Sequence, residues 1–144
     1  MKYCAYQDRC QKEVRNKLYE IEAPYEAIEE IITTLIADNF LNEERFATSF
    51  ARGKFYYKHW GRKKIENELK SRSVSSYCIK KGLKEIVAED YTATLTRLTQ
   101  KKIKELGGSF SLINKQKTAN FLFNKGYESE LIWEAIKSLE QDFN

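Results

Sequence analysis

Apolar residues recur every three to four positions along most of this 144-residue chain, the spacing that gathers them on one face of an α-helix. The pattern predicts a first helix over Met1–Glu20, with Cys4, Cys10, Val14 and Leu18 close to one face and Tyr3 and Tyr6 beside them. Pro24 ends it, because a residue ahead of proline is driven out of helical geometry, while proline itself suits a first turn. A second helix is predicted over about Pro24–Asp38. Ile28, Ile31, Ile32, Leu35 and Ile36 form its apolar stripe, Glu26, Glu29 and Glu30 face water, and Asn39 closes it. The third helix covers about Asn42–Lys58. Asn42 can cap it, and Glu43 and Glu44 complement the positive end of its dipole.

Gly61 opens a fourth helix to about Arg72, with Ile65 and Leu69 inward. Ser75 caps a fifth over Ser76–Ala88, with Ile79, Leu83 and Ile86 inward. A sixth runs over about Glu89–Leu106, with Leu95, Leu98 and Ile103 apolar, and stops at Gly107-Gly108. A seventh covers Leu112–Lys125 and is closed by Gly126, a natural left-handed cap. An eighth covers Glu128–Asp142, with Ile132, Ile136 and Leu139 inward. No segment alternates apolar and polar residues in the manner of a strand. The fold class expected is all-α, with about eight helices.

The apolar skeleton repeats. A shift of 51 carries Leu18 onto Leu69, Ile28 onto Ile79, Ile32 onto Leu83 and Leu35 onto Ile86. A shift of 53 then carries Leu69 onto Leu122, Asn67 onto Asn120, Ile79 onto Ile132, Leu83 onto Ile136 and Ile86 onto Leu139. Evenly spaced Leu and Ile come easily in any helical protein, but agreement in two registers argues against coincidence. The expected division is a three-helix repeat over 1–60, a second over 61–108 and a third, cut to two helices, over 109–144. A unit this small buries little core alone, so the units should stack into an elongated, curved array with a long surface rather than a deep pocket.

Charge changes this picture more than composition does. The chain carries a formal +4, but residues 1–44 balance at −5, residues 45–127 at +13 and residues 128–144 at −4. A cationic middle between acidic ends attracts acidic partners more strongly than its net charge implies. The centre of this field is Asn42–Leu69. From Arg45 to Ile65 it contains no carboxylate, and Phe46, Phe50, Phe55, Tyr56, Tyr57 and Trp60 are interleaved with cations. Arg52, Lys54, Lys58, Arg62, Lys63 and Lys64 are the candidate partner-binding residues, joined by Lys101 and Lys102 on the sixth helix. In one reading these cations meet an acidic protein surface or DNA phosphates. In the other, the Phe residues are core and the cations keep the face soluble. Tyr56, Tyr57 and Trp60 can stack on unpaired bases only if their rings are exposed.

The residues point to no enzyme. There is no P-loop after Gly107-Gly108 and no nucleophile elbow. Three cysteines without CxxC spacing and one histidine make no convincing zinc site and call for no cofactor or metal. Cys4, Cys10 and Cys78 are expected to be buried or half-buried, reduced thiols. No apolar run approaches the roughly 18 residues needed to cross a bilayer, and charge arrives too early at the N-terminus for a signal peptide. The expected location is cytoplasmic, with no membrane contact.

Three segments resemble the RecX family of recombination regulators: Tyr3–Leu18 (YCAYQDRCQKEVRNKL), Phe40–Leu69 (FLNEERFATSFARGKFYYKHWGRKKIENEL) and Lys115–Ile136 (KQKTANFLFNKGYESELIWEAI). The second is the most specific, with an acidic turn, Arg-Phe-Ala, a basic helix, Gly, a basic pair and Ile-x-x-x-Leu. The acidic turn is often Asp-rich in the family and here is Asn42-Glu43-Glu44. The resemblance implies a helical tandem repeat that binds the RecA recombinase filament as a monomer. It further implies inhibition or modulation of the filament's ATPase, strand-exchange and coprotease activities, and leaves a weak DNA contact open. A direct nucleic-acid-binding module without a recombinase partner accounts for the charge equally well, and a helical adaptor for another acidic protein is a further alternative. On the filament reading, reversing Arg62, Lys63 and Lys64 to Glu should abolish inhibition of recombinase ATPase while helix content by circular dichroism stays intact.

Overall fold

Three-to-four spacing becomes helix throughout the computed structural model, which describes residues 2–6 and 8–143. Among these residues there are nine helices and no strand: α1 (Lys2–Tyr6), α2 (Gln11–Glu20), α3 (Tyr25–Ala37), α4 (Glu43–Tyr56), α5 (Arg62–Ser71), α6 (Ser76–Leu83), α7 (Ala88–Glu105), α8 (Leu112–Asn124) and α9 (Ser129–Asp142).

The ninth helix arises because the predicted first helix is broken. Met1 and the Tyr6 side chain lie outside the description, but Asp8 to Cys10 are not helical. Tertiary bonds hold them out. Asp8 accepts from the Arg45 guanidinium at 2.6 Å and from the Ser49 hydroxyl at 2.9 Å. Arg9 donates to the Tyr3 carbonyl at 3.4 Å, and its guanidinium lies 4.0 Å from the Tyr3 ring centre. Cys10, at φ −90° and ψ 165°, is then extended ahead of α2. The fifth predicted helix also ends early, at Leu83 rather than Ala88. Ile36, expected in the apolar stripe of α3, is 47% exposed.

The repeated skeleton is the interior. Leu18, Leu69 and Leu122 are buried, as are Ile28, Ile79 and Ile132, Leu35, Ile86 and Leu139, and Ile32 and Ile136; Leu83 is half-buried. The turns repeat too. Glu22, Ser73 and Gly126, in register by the same shifts, have φ of 58°, 60° and 99°. Behind each, an amide donates six-to-one to the matching leucine carbonyl: Ala23 to Leu18 at 2.9 Å, Val74 to Leu69 at 3.1 Å and Tyr127 to Leu122 at 3.2 Å. This is the Schellman cap, which satisfies the last carbonyls of α2, α5 and α8. Two of the three sites hold a non-glycine in the left-handed region, where a side chain costs roughly 1–2 kcal/mol. Burial of the flanking leucine offsets that cost.

The chain divides into two compact units, and the division falls inside α4 and α5. Unit 1 comprises Met1–Arg52 and Asn67–Glu85, and unit 2 comprises Gly53–Glu66 and Ile86–Asn144. In unit 1, Cys4, Val14, Leu18, Ile28, Ile32, Leu35 and Leu41 form one buried cluster. Glu43 of α4 accepts from the Ser75 amide at 2.9 Å, and the Ser75 hydroxyl accepts from the Cys78 amide at 3.3 Å, which is the cap predicted for α6. In unit 2, α7, α8 and α9 pack on one another. Phe55, Tyr91 and Tyr127, all buried, form a row of tilted ring contacts, with ring centres 5.5 and 5.1 Å apart.

Two outcomes test this packing. Leu69→Ala and Leu122→Ala, each removing a side chain with no exposure, should each lower unfolding free energy by about 2–5 kcal/mol in urea titrations. In unit 2, a Cβ on Gly61 would lie 2.2 Å from the Gly126 carbonyl carbon, which is backbone and cannot swing aside. Gly61→Ala should therefore cost at least about 1–3 kcal/mol, whereas Gly53→Ala, whose Cβ meets nothing within 4 Å, should be neutral or stabilising by thermal melt.

Candidate functional site

The site begins with two glycines. The Gly61 amide donates to the Lys125 carbonyl at 2.7 Å, and the Lys63 amide donates to the Gly126 carbonyl at 2.9 Å. The first turn of a helix has amides with no partner inside the helix; here the α8–α9 turn supplies carbonyls for them. A Cβ on Gly126 would meet the Lys64 backbone amide nitrogen at 2.5 Å. The absence of two β-carbons therefore lets the start of α5 lie directly on the turn that carries Lys125.

Arg62 is drawn inward by this contact. Its guanidinium pairs with the Glu128 carboxylate at 2.9 Å and lies 3.8 Å from the Tyr91 ring centre. Its amide donates to the Tyr91 hydroxyl at 3.0 Å, and that hydroxyl donates to the other Glu128 oxygen. Tyr127 donates to the His59 carbonyl at 2.8 Å. Burial, followed by the Glu128 hydrogen bond, pushes the Tyr91 phenol far above its usual range, and burial does the same to Tyr127. Both phenols stay protonated and donate. Arg62 is thus half-buried within this network, and replacing it with Glu would set two carboxylates face to face. The triple reversal is therefore not a clean surface test.

The other predicted cations are distributed differently. Lys58, Lys63 and Lys101 are exposed in unit 2, and Arg52 is exposed in unit 1. Lys54, Lys64 and Lys102 are half-buried. The ammonium groups of Lys54 and Lys64 lie 4.9 and 4.4 Å from the Trp60 ring centre. Those of Lys102 and Lys125 lie 4.8 and 5.7 Å from the Phe121 ring centre. Lys102 also pairs with Glu105 at 3.8 Å. The aromatic residues split: Phe46 and Phe55 are core, Phe50 and Trp60 are half-buried, and Tyr57 is 84% exposed. The Tyr56 hydroxyl donates to Asp90 at 2.8 Å.

Three further members, Arg97, Lys125 and His59, are brought in by the fold. Burial, then the charges of Lys64 and Lys101, pull the Lys125 ammonium below its ordinary value. Burial, then Arg97 and Lys125, lower His59; a backbone bond involving Phe55 acts the other way, and Lys101 adds to the depression. On both groups the neighbouring cations act in the same direction as burial, the larger cause. Arg97 stands in the basic run of the sixth predicted helix, with Lys101, Lys102 and Lys104. Lys125 stands immediately before the Gly126 cap.

Comparison with known proteins identifies the family of the chain. Residues 1–35, 42–83 and 89–136 match models of the first, second and third three-helix domains of RecX. These spans open on α1, α4 and α7, whereas a division at 1–60, 61–108 and 109–144 groups the helices differently. The regulatory protein RecX of Bacillus cytotoxicus is 26% identical over 140 residues, covering 97% of this chain and 52% of the relative. That of Bacillus cereus strain B4264 shows the same identity and coverage. The chain thus spans about half the length of these curated relatives. A crystal structure of RecX from Lactobacillus salivarius superposes with a TM-score of 0.85 at 24% identity, covering 97% of this chain and 91% of that one. A crystal structure of a regulatory protein RecX gives 0.85 at 24% identity, over 95% and 67% of the two chains. Among the described residues, no helix is long and apolar enough to cross a membrane. With the described helices falling three at a time into three successive RecX domain models, the chain belongs to the RecX family.

Proposed function

We propose that this protein is a non-enzymatic, cytoplasmic, monomeric regulator that binds the nucleoprotein filament of a RecA-type recombinase. In this role it restrains the filament's ATPase, strand-exchange and coprotease activities, in the setting of homologous recombination, DNA repair and the SOS response. The observation that carries this reading is the match of all three RecX domain models along the one chain, together with relatives named regulatory protein RecX. Each three-helix repeat would meet a successive recombinase subunit. Each further contact then forms at high effective concentration, so weak individual contacts add up to tight binding.

The contact surface proposed comprises Arg52, Lys54, Lys58, Lys63, Lys64, Lys101 and Lys102, with Arg62 holding the start of α5 in place through Glu128. The crowded cations of unit 2 favour a second reading, direct binding of nucleic acid without a recombinase.

Recombinase ATPase on single-stranded DNA, with this protein titrated in at two salt concentrations, separates the two. The regulator lowers ATPase, and less so at high salt. The double reversal Lys58→Glu/Lys63→Glu, confined to exposed side chains, should raise the half-inhibitory concentration about tenfold or more. Unchanged ATPase beside tight, steeply salt-sensitive binding to DNA alone would establish the second reading instead.

A further inference from the structure

We propose that copies of this chain, monomers when dilute, join end to end, the α2–α3 turn of one copy docking on the start of α8 of the next. Neither recombinase nor nucleic acid takes part in this contact, so it goes beyond the regulator reading and is tested without it.

Each unit already contains a contact of this kind. In unit 1 the start of α2 lies against the α5–α6 turn. Lys12 donates to the Ser71 carbonyl at 2.8 Å, and the Glu13 carboxylate lies 4.0 Å from Nε of Arg72. In unit 2 the start of α5 lies against the α8–α9 turn. The Lys63 amide donates to the Gly126 carbonyl at 2.9 Å, and a Cβ on Gly126 would strike the Lys64 backbone. These are one contact repeated. A shift of 51 carries Lys12 and Glu13 onto Lys63 and Lys64, and a shift of 53 carries Ser71, Arg72 and Ser73 onto Asn124, Lys125 and Gly126.

The same shifts leave one helix start and one turn unmatched. The helix start is that of α8, where Gln116 and Lys117 succeed Lys63 and Lys64. The turn is that between α2 and α3, where Glu20, Ile21 and Glu22 stand in the places of Ser71, Arg72 and Ser73. A repeat face that meets only water is normally polar. Here Leu112 and Ile113 are 82% and 67% exposed at the first face, and Tyr19, Ile21 and Tyr25 are 54%, 59% and 76% exposed at the second. One exposed apolar side chain is ordinary, but groups of them on both unmatched faces mark an interface.

Charge decides which occupant fits. Within unit 1 the helix start supplies the acid, Glu13, and the turn supplies the base, Arg72. At the unmatched faces both signs are inverted: the helix start carries Lys117, and the turn carries Glu20 and Glu22. All three are exposed, and among the described residues neither Glu22 nor Lys117 is in an ion pair. The start of α8 therefore suits an acidic turn edged with aromatic and aliphatic side chains, which is what a second copy presents. Asn114 and Glu22 stand where unit 2 has Gly61 and Gly126, so the approach is through side chains, as it is for Lys12 and Glu13. A helix start on a single turn buries less than the roughly 1,200 Å² at the low end of stable interfaces, which keeps the contact weak. Copies held in a row on a filament, as proposed above, would meet at an effective concentration where it forms. Because the two faces differ, the contact is heterologous, and association passes beyond two copies unless the ends close on one another.

Sedimentation velocity of the purified chain alone, from about 10 μM to about 1 mM, tests this. The expected result is a monomer at the low end and a weight-average mass that climbs with concentration. Leu112→Ser/Ile113→Ser, both exposed side chains, should stay monomeric throughout. Glu22→Lys and Lys117→Glu should each weaken association about three- to tenfold. An equal mixture of these two variants, and the double variant Glu22→Lys/Lys117→Glu, should recover the parent's association, which also shows that the single variants are folded. Lys137→Glu on α9, an exposed position, is the control and should match the parent. A parent that remains monomeric at about 1 mM overturns the proposal and leaves the two faces to other chains. Association indifferent to the Leu112 and Ile113 changes overturns it too, as do single-variant losses that neither the mixture nor the double variant recovers.

Discussion

Backbone against backbone is the contact on which unit 2 depends. Gly61 and Gly126 meet so closely that neither tolerates a β-carbon, and amides at the start of α5 are satisfied by carbonyls of the α8–α9 turn. An unpaired buried amide costs free energy comparable to a lost hydrogen bond, so the helix start and the turn stabilise each other. The aromatic stack follows from this approach. Tyr127, directly after Gly126, reaches the His59 carbonyl, and Tyr91 reaches both the Arg62 amide and Glu128. Two phenols kept neutral by burial thus tie the loop before α5 to α7 and α9.

Much of this was legible in the sequence, for a physical reason. Helical periodicity and the demand for a left-handed residue after a helix are local rules, and they hold where no distant contact overrides them. The leucines at 18, 69 and 122 had to be buried, and the glycine at 126 had to turn the chain. That Glu22 and Ser73 adopt the same left-handed geometry was visible only through the repeat, because neither residue type requires it. The break between α1 and α2 was not legible. It is imposed by Arg45 and Ser49, which lie 37 and 41 positions from Asp8, and no window of helical spacing contains them.

The candidate site shows the same division. Spacing identified a basic stretch but could not tell which cation would be used internally. Arg62 looks equivalent to Lys63 and Lys64 in sequence, yet only Arg62 meets Glu128, a partner 66 positions away. Arg97 and Lys125 were two cations among many in a region of strong positive balance. The place of Lys125 comes from the turn at Gly126, which lies against Lys64 at the start of α5.

The inward use of Arg62 strengthens the surface it leaves. Glu128 stands three positions beyond Lys125, and a free carboxylate there would weaken the field at that lysine. A guanidinium and a phenol hold the Glu128 oxygens instead, so its charge is compensated locally and falls away rapidly with distance. Burial, then the charges of Lys64 and Lys101, lowers the Lys125 ammonium. A fold that needed only solubility would gain by spacing its lysines apart, since like charges held together oppose compaction. Here backbone contact between Gly61 and Gly126 instead sets Lys64 against the turn that carries Lys125.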